Sequence, residues 1–322
     1  MFSQLVVETQ DALQSYHEAY EATHNQQARH TILILDKQLH AFPWESLPCL
    51  DQRSVSRLSS LYDLRERILA MRQEPEALEP GYHIPIKTGT YILNPSGDLT
   101  KTQSRFEKPL SALHDWTSII KQPPAEDAFL KALTPASAIS PTSDSQSSSS
   151  LLLYFGHGSG AQYVRSRRIK RLRTQRQTNA SPSVTCNTTL LFGCSSASLR
   201  EVSEFEPYGT PKTYLAAGAP ALLGSLWDVT DGDCDAFAGG VLERWGLLEK
   251  GACAQVESGK KKKGRAAAKK AKQMEEREED EGEKGRKMCL SEAVARSRGE
   301  CYLRYLNGAA MVVYGVPVFL AK

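Results

Sequence analysis

The sequence predicts an α/β sandwich built on a mainly parallel central sheet. Short apolar runs alternate with segments of helical periodicity along most of the 322 residues, the pattern of strands joined by crossover helices. The runs are apolar throughout rather than alternating, as befits strands covered on both faces. Two of them stop abruptly at glycine and a lone ionisable residue: Leu151-Leu152-Leu153-Tyr154-Phe155-Gly156-His157-Gly158 and Thr189-Leu190-Leu191-Phe192-Gly193-Cys194-Ser195-Ser196. A hydrophobic content of 40% is ample for a sizeable core.

Taken in order, Leu5, Ala12, Leu13, Tyr16 and Tyr20 recur at helical spacing and predict a helix over Phe2 to Arg29. Thr31 to Asp36 reads as a buried strand. Phe42-Pro43-Trp44-Glu45-Ser46-Leu47-Pro48 reads as a rigid aromatic turn, because its prolines exclude regular structure. Ser54 to Gln73 predicts a second helix and Pro75 to Pro85 a loop. Thr90 to Leu93 is a strand that runs into the turn Asn94-Pro95-Ser96-Gly97-Asp98-Leu99, where Asn-Pro and Ser-Gly mark chain reversal. A helix is expected around Leu110 to Ile120. Thr134 to Ser150 is rich in Ser, Pro and Ala and reads as a disordered insertion. After the His157 strand come Arg165, Arg167, Arg168, Lys170, Arg171, Arg173 and Arg176, then a polar loop over Asn179 to Asn187 that leads into the Cys194 strand.

Tyr214 to Ala217 closes a helix, Ala221 to Trp227 is a buried strand, and Ala236 to Leu248 is a helix. Gly259 to Lys287 has a basic half and an acidic half with almost no apolar content, and reads as a solvated insertion. Ser291 to Leu306 predicts the last helix and Ala309 to Pro317 the last strand. The domain reading is an N-terminal helical and strand segment, 1–80, packed on a domain at 81–322 interrupted near 134–150 and 254–288.

Composition excludes several classes. The net charge of +3 says little about partners, although the charge is unevenly placed. The 7 cysteines are an odd count without a CxxC pair, so neither a disulfide framework nor a zinc site is expected. Free thiols point to a reducing compartment, cytosol or nucleus. No apolar run reaches the ~18 residues of a membrane span, and no N-terminal signal segment is present. The chain opens directly on an amphipathic segment and reads as part of something longer.

His157 and Cys194 are the candidate catalytic pair. A cysteine attacks only as thiolate and needs a base beside it, and histidine titrates near neutrality. Two adjacent parallel strands would bring both to one sheet edge, where open α/β sheets place their chemistry. Gly158 has no side chain, so its amide and that of Cys194 can form an oxyanion hole. A strand cysteine alone is more often inert, and a turn histidine alone often bonds only backbone; the paired Gly-flanked strand ends favour the dyad. His17, His24, His30, His40, His83 and His114 lack that context, as do Cys49, Cys186, Cys234, Cys253, Cys289 and Cys301.

Trp227-Asp228-Val229-Thr230-Asp231-Gly232-Asp233-Cys234-Asp235 clusters carboxylates at a further strand end. They could line a pocket for a cationic side chain through charge-assisted bonds. A calcium loop is disfavoured because the Glu at the loop end is missing. Helix N-capping remains open, with one aspartate expected to cap the 236–248 helix.

Phe155-Gly156-His157-Gly158-Ser159-Gly160, Gly193-Cys194-Ser195-Ser196, Leu226-Trp227-Asp228-Val229-Thr230-Asp231 and Pro43-Trp44-Glu45-Ser46-Leu47-Pro48 together resemble the C-terminal protease region of the separase family. Asn94 to Leu99 and Tyr314-Gly315-Val316-Pro317-Val318 fit the same family. The resemblance implies a caspase-like αβα sandwich and a cofactor-free cysteine endopeptidase that cuts the kleisin subunit of cohesin after arginine at anaphase. It implies His157 and Cys194 as the catalytic pair and the Asp231 to Asp235 segment as the holder of the P1 arginine, with Asp235 favoured and then Asp231. Securin is implied as inhibitory pseudosubstrate, and cytoplasm and nucleus, on spindle and chromosomes in mitosis, as the location. The basic run at 165–176 reads either as solvated surface or as a weak nucleic-acid or phosphopeptide contact. Lys260 to Lys272 is compatible with a nuclear-import signal. A catalytically silent binding module of this fold, docking securin-like or cohesin-like segments, and another arginine-specific caspase-like protease remain the rival readings.

Overall fold

The structure is a computed structural model that describes residues 7, 11, 14–15, 30–71, 81–135, 151–174, 184–253 and 287–321. The strands are β1 (Thr31–Ile34), β2 (Val55–Leu58), β3 (Tyr82–Pro85), β4 (Thr90–Leu93), β5 (Thr117–Ile120) and β6 (Leu151–Phe155). They continue with β7 (Thr188–Phe192), β8 (Leu199–Val202), β9 (Phe205–Gly209), β10 (Ala221–Ser225), β11 (Met311–Gly315) and β12 (Val318–Ala321). The helices are α1 (Leu61–Met71), α2 (Thr100–Ser111), α3 (Glu126–Leu133), α4 (Ser166–Thr174), α5 (Thr210–Ala216), α6 (Asp231–Trp245) and α7 (Leu290–Ser297).

Among the described residues, eight strands form the central sheet in the order β1-β2-β11-β10-β7-β6-β4-β5. Every pairing in it is parallel except β10 with β11. The strands β10, β7, β6, β4 and β5 therefore all end at one edge, and β11 starts there, since Ser225 faces Met311. β1 and β2 belong to this same sheet, through Tyr314 opposite Arg57, so the sheet crosses the 80/81 boundary.

Period-two alternation explains the apolar runs. Leu151, Leu153 and Phe155 of β6, Leu190 and Phe192 of β7, and Leu223 of β10 pack beneath α2, α6 and α7, with Phe106, Phe237 and Val294. Leu152 and Tyr154, Leu191 and Leu222 face the opposite layer, with Phe129 of α3, Ile169 of α4 and Tyr214 of α5. Both faces are covered, which is why these strands are mostly apolar and carry no charged residue.

Several expectations are corrected. The helix expected over Ser54 to Gln73 begins only at Leu61, because Val55 to Leu58 form β2. Arg57 made that segment look solvated, yet it is fully buried, with Nε and Nη2 on Glu45 at 2.6 and 2.7 Å and further bonds to the His40 and Phe42 carbonyls. The Pro75 to Pro85 loop contains β3, which pairs with β12 just after the last predicted strand. The helix expected at Leu110 to Ile120 is displaced: α2 spans Thr100–Ser111, and Thr117–Ile120 is the edge strand β5. Its buried face carries Thr102 and Gln103 beside Phe106 and Leu110, so its periodicity is weak in apolar residues alone.

The helix expected from Ala236 starts at Asp231, and its N-cap is Thr230 rather than an aspartate. The Ser291 to Leu306 helix stops at Ser297 and gives way to tighter and wider turns at Arg298–Glu300 and Arg304–Gly308. The β8–β9 hairpin and α3 were not anticipated. The predicted helix over Phe2 to Arg29 lies outside the described residues, apart from Val7, Asp11, Gln14 and Ser15, which are helical. The insertions expected at 134–150 and 259–287 also lie outside them, save Thr134, Pro135 and Lys287. The basic run forms α4, where Arg168 bonds Glu126 and Asp127 at the start of α3. Arg165, Arg167, Lys170 and Arg171 are exposed.

Candidate active site

The site is built by neighbouring strand ends. β6 and β7 are parallel and in register with Phe155 opposite Phe192, whose rings stack at 4.8 Å. His157 and Cys194 each lie two residues beyond this pair, in the turns that follow, and Cys194 packs against the layer of α2 and α6. The two turns touch: a Cβ on Gly193 would overlap the carbonyl oxygens of Gly156 and Gly158. Glycine at 193 is thus required by the close approach of the histidine turn. Tyr154 Oη donates to the His157 carbonyl at 2.9 Å and fixes that turn from beneath.

The cysteine turn is held from the other side. Ser225 Oγ donates to the Gly193 carbonyl at 2.8 Å, and the Ser195 amide to the Trp227 carbonyl at 3.1 Å. Ser195 sits at φ 51°, in the left-handed region, and its hydroxyl meets Asp228 Oδ1 at 2.6 Å. A serine tolerates this conformation at some cost, and the reversal leaves Cys194 at the apex of the turn. Of the seven cysteines, all described and all free, Cys194 alone is not buried. Burial pushes the thiols of Cys186, Cys253 and Cys301 up to about 12, which keeps them protonated and inert. Cys194 Sγ lies 3.1 Å from the Val229 carbonyl oxygen, which holds the side chain beside the start of α6. Neither the Gly158 nor the Cys194 amide donates a hydrogen bond among the described residues, and Gly158 has φ 59° with open space at its Cα.

The structure adds a residue for which the sequence offered no role. His157 Nε2 lies 2.7 Å from Asp98 Oδ2. Asp98 stands in the turn after β4, the strand next to β6, and so reaches the same edge. Asn94 shapes this turn: at φ 52° it accepts the Leu99 amide on Oδ1 at 2.9 Å, while its Nδ2 donates to Gln103 at 2.9 Å. The hydrogen bond from His157 holds the Asp98 carboxyl below its ordinary range. Asp98 is therefore ionised at neutral pH and can only accept, which places a proton on Nε2 and leaves Nδ1 as the basic nitrogen. An acidic residue in the turn after the adjacent strand was the signal in the sequence.

The three aspartates of α6 separate in role. Asp233 accepts from the Tyr302 and Leu303 amides at 2.6 and 3.0 Å and from Asn307 at 2.8 Å, which commits it to the loop before β11. Asp231 is exposed on the first turn. Asp235 lies one turn further along the same face, 7% exposed, with Thr102 Oγ1 on its Oδ2 at 3.0 Å. Burial pushes Asp235 up to about 6, helped by the nearby Asp231 and opposed by Thr102 and Arg105. Two carboxylates at a helix N-terminus, one of them desolvated, form an environment that a cation would relieve.

The sequence profile described as "Separin, protease domain" matches residues 1–234. The chain is 46% identical over 320 residues to Separin of Emericella nidulans and 39% identical over 319 residues to Separin of Schizosaccharomyces pombe. These alignments cover 99% and 98% of this chain but 13% and 14% of the relatives, so the chain spans about one seventh of their length. A crystal structure of the Saccharomyces cerevisiae separase–securin complex superposes with a TM-score of 0.68 at 31% identity, over 94% of this chain and 17% of that one. The Arg specific cysteine proteinase gingipain R superposes with a TM-score of 0.53 over 97% of this chain and 68% of that one. At 12% identity that likeness shows the fold alone.

Proposed function

The chain belongs to the Separin protease-domain family, and from that premise we propose that it is a cysteine endopeptidase that cuts after arginine, with Cys194 as nucleophile and His157 as general acid and base. The observation that supports this most is the meeting of the Gly156–Gly158 and Gly193–Cys194 turns at the ends of paired parallel strands, with the single non-buried cysteine at the apex.

The reaction follows from these groups. His157 Nδ1 takes the Cys194 proton, and Asp98 balances the imidazolium from Nε2. The thiolate attacks the carbonyl carbon after arginine, and the Gly158 and Cys194 amides receive the oxyanion. His157 returns the proton to the leaving amine as the C–N bond breaks, giving a thioester. Water then loses a proton to His157 and attacks the thioester, releasing the carboxylic acid and restoring the thiol. Asp231 and Asp235 bind the arginine guanidinium. Asp233 is excluded from this task by its three donors.

The substrate and inhibitor readings extend from the relatives. One neighbour was solved as a separase–securin complex, and a securin-like segment is proposed to occupy this cleft as a pseudosubstrate. The kleisin subunit of cohesin is the proposed substrate. The test is cleavage of a kleisin polypeptide by the chain, with the arginine at the cut changed to glutamate as control. Cutting that persists on the glutamate form would overturn the arginine assignment.

A further inference from the structure

Asp98 and Thr102 are four residues apart where the turn after β4 enters α2, and they touch the two halves of the site. Asp98 meets His157, and Thr102 Oγ1 donates to Asp235 Oδ2 at 3.0 Å. We infer that Thr102 is a positioning residue for arginine recognition, its hydroxyl fixing one oxygen of Asp235 so that the other faces the incoming guanidinium. The inference rests on the reading of Asp231 and Asp235 as the arginine-binding carboxylates.

The hydroxyl's direction is the first argument. Serine and threonine inside helices ordinarily donate back to a carbonyl three or four residues earlier. Ser104 and Ser111 of α2 do so, to Thr100 at 3.1 Å and Glu107 at 2.6 Å. Thr102 instead reaches across to α6, 133 residues away in sequence, and both partners are buried. Among the described residues Thr102 is the only hydrogen-bond donor to the Asp235 side chain.

The surroundings make that donor matter. Titratable and charged groups facing Asp235 are Asp231 and Cys234 on α6, Arg105 on α2 and Cys253 beyond the end of α6. Arg105 makes no ion pair with Asp235 among the described residues; its guanidinium lies 5.8 Å from the Phe106 ring centroid, beside Gly239. The hydroxyl is thus the direct contact that opposes burial and Asp231, the two influences that push Asp235 up. A carboxylate that loses this donor protonates more readily, and a neutral acid does not attract a guanidinium. α2 therefore supports both the base, through the turn at its start, and the specificity pocket, through Thr102.

The test is direct binding in a Cys194→Ser background, so that the probe is not cut. The probes are a fluorescein-labelled peptide ending in arginine amide and its citrulline counterpart, titrated between pH 5 and pH 8. Thr102→Val is expected to weaken the arginine peptide about tenfold near neutrality, to move the midpoint of its acid-side loss upward, and to leave the citrulline peptide unchanged. Thr102→Ser is expected to restore both affinity and midpoint. Unchanged affinity and midpoint in Thr102→Val, or equal losses for both peptides, would overturn the role of Thr102. Thr102→Ala gives the same comparison if valine disturbs packing. Asp235→Asn separates the two levels: if it keeps the arginine preference, the pocket reading itself fails. If it loses the preference while Thr102→Val behaves as the parent, only the inference about Thr102 fails.

Discussion

Glu45 with Arg57 and Asp98 with His157 are two carboxylate contacts of nearly equal length in opposite surroundings. Arg57 Nε lies 2.6 Å from Glu45 Oε1, and the two side chains are 0% and 1% exposed. His157 Nε2 lies 2.7 Å from Asp98 Oδ2, and those side chains are 51% and 59% exposed. The first pair is bidentate, with Nη1 and Nη2 also donating to the His40 and Phe42 carbonyls. Burial opposes ionisation of Glu45, yet Arg57 outweighs it and holds the carboxyl below its ordinary range. With four of the five N–H donors of Arg57 bonded and both side chains buried, this pair clamps the Trp44–Ser46 turn to β2. The second pair is exposed beyond a strand end, with no other side chain bonded to the imidazole among the described residues. Similar contacts are structural when dry and saturated, and chemical when wet and open.

That contrast is broken most strongly at Cys194, the proposed nucleophile. Cys194→Ser is expected to lower single-turnover cleavage by about 10⁴-fold or more, while thermal unfolding stays near that of the parent. Loss of folding along with activity would place Cys194 with the structural residues. Glu45→Ala is the converse: it is expected to cost about 3–5 kcal/mol, because it leaves a buried guanidinium uncompensated. Denaturant midpoints read this, and a change under about 1 kcal/mol would remove the clamp from the account.

Asp98→Asn sharpens the comparison from the exposed side. It is expected to lower kcat/KM about 10²-fold by releasing the imidazole tautomer, with the thermal midpoint unchanged from the parent, as for other exposed positions. Equal activity would mean that the contact does not orient His157.

Asp235 gives the smallest effect and an inverted sign. Its carboxyl titrates at about 6 in the fold against an ordinary value of 3.8, so between those values the folded chain holds more protons than the unfolded one. Stability therefore falls as pH rises through that window, and the penalty is complete above it. Asp235→Asn is expected to gain on the order of 2 kcal/mol at pH 7.5 and nothing below pH 4, while losing the preference for arginine. Melting temperatures at both pH values check this; a loss of stability at pH 7.5 would contradict the strained-carboxylate reading.

The same contrast governs what was legible in the sequence. β6, β7 and β10 announced themselves because both their faces are dry, so most of their positions are apolar. Their Gly-ended turns marked the edge where the backbone turns carrying His157 and Cys194 touch. β2 was hidden because a saturated buried arginine has the same letter as a solvated one. α2 was misplaced because half of its inward face is Thr102 and Gln103, polar residues with partners that only the fold supplies. The Asp98 contact joins residues 59 apart through strand order, which local periodicity does not encode. The roles of Asp231, Asp233 and Asp235 separated only once they were seen at the start of α6, where Asp231 and Asp235 share a face and Asp233 lies on another.

The most direct measurement is single-turnover cleavage of a peptide carrying one arginine, run beside its citrulline counterpart, with the chain and with Cys194→Ser. The account predicts one cut after arginine, at least about tenfold slower on citrulline, and none with Cys194→Ser. Cleavage that survives in Cys194→Ser, or that treats arginine and citrulline alike, would contradict it.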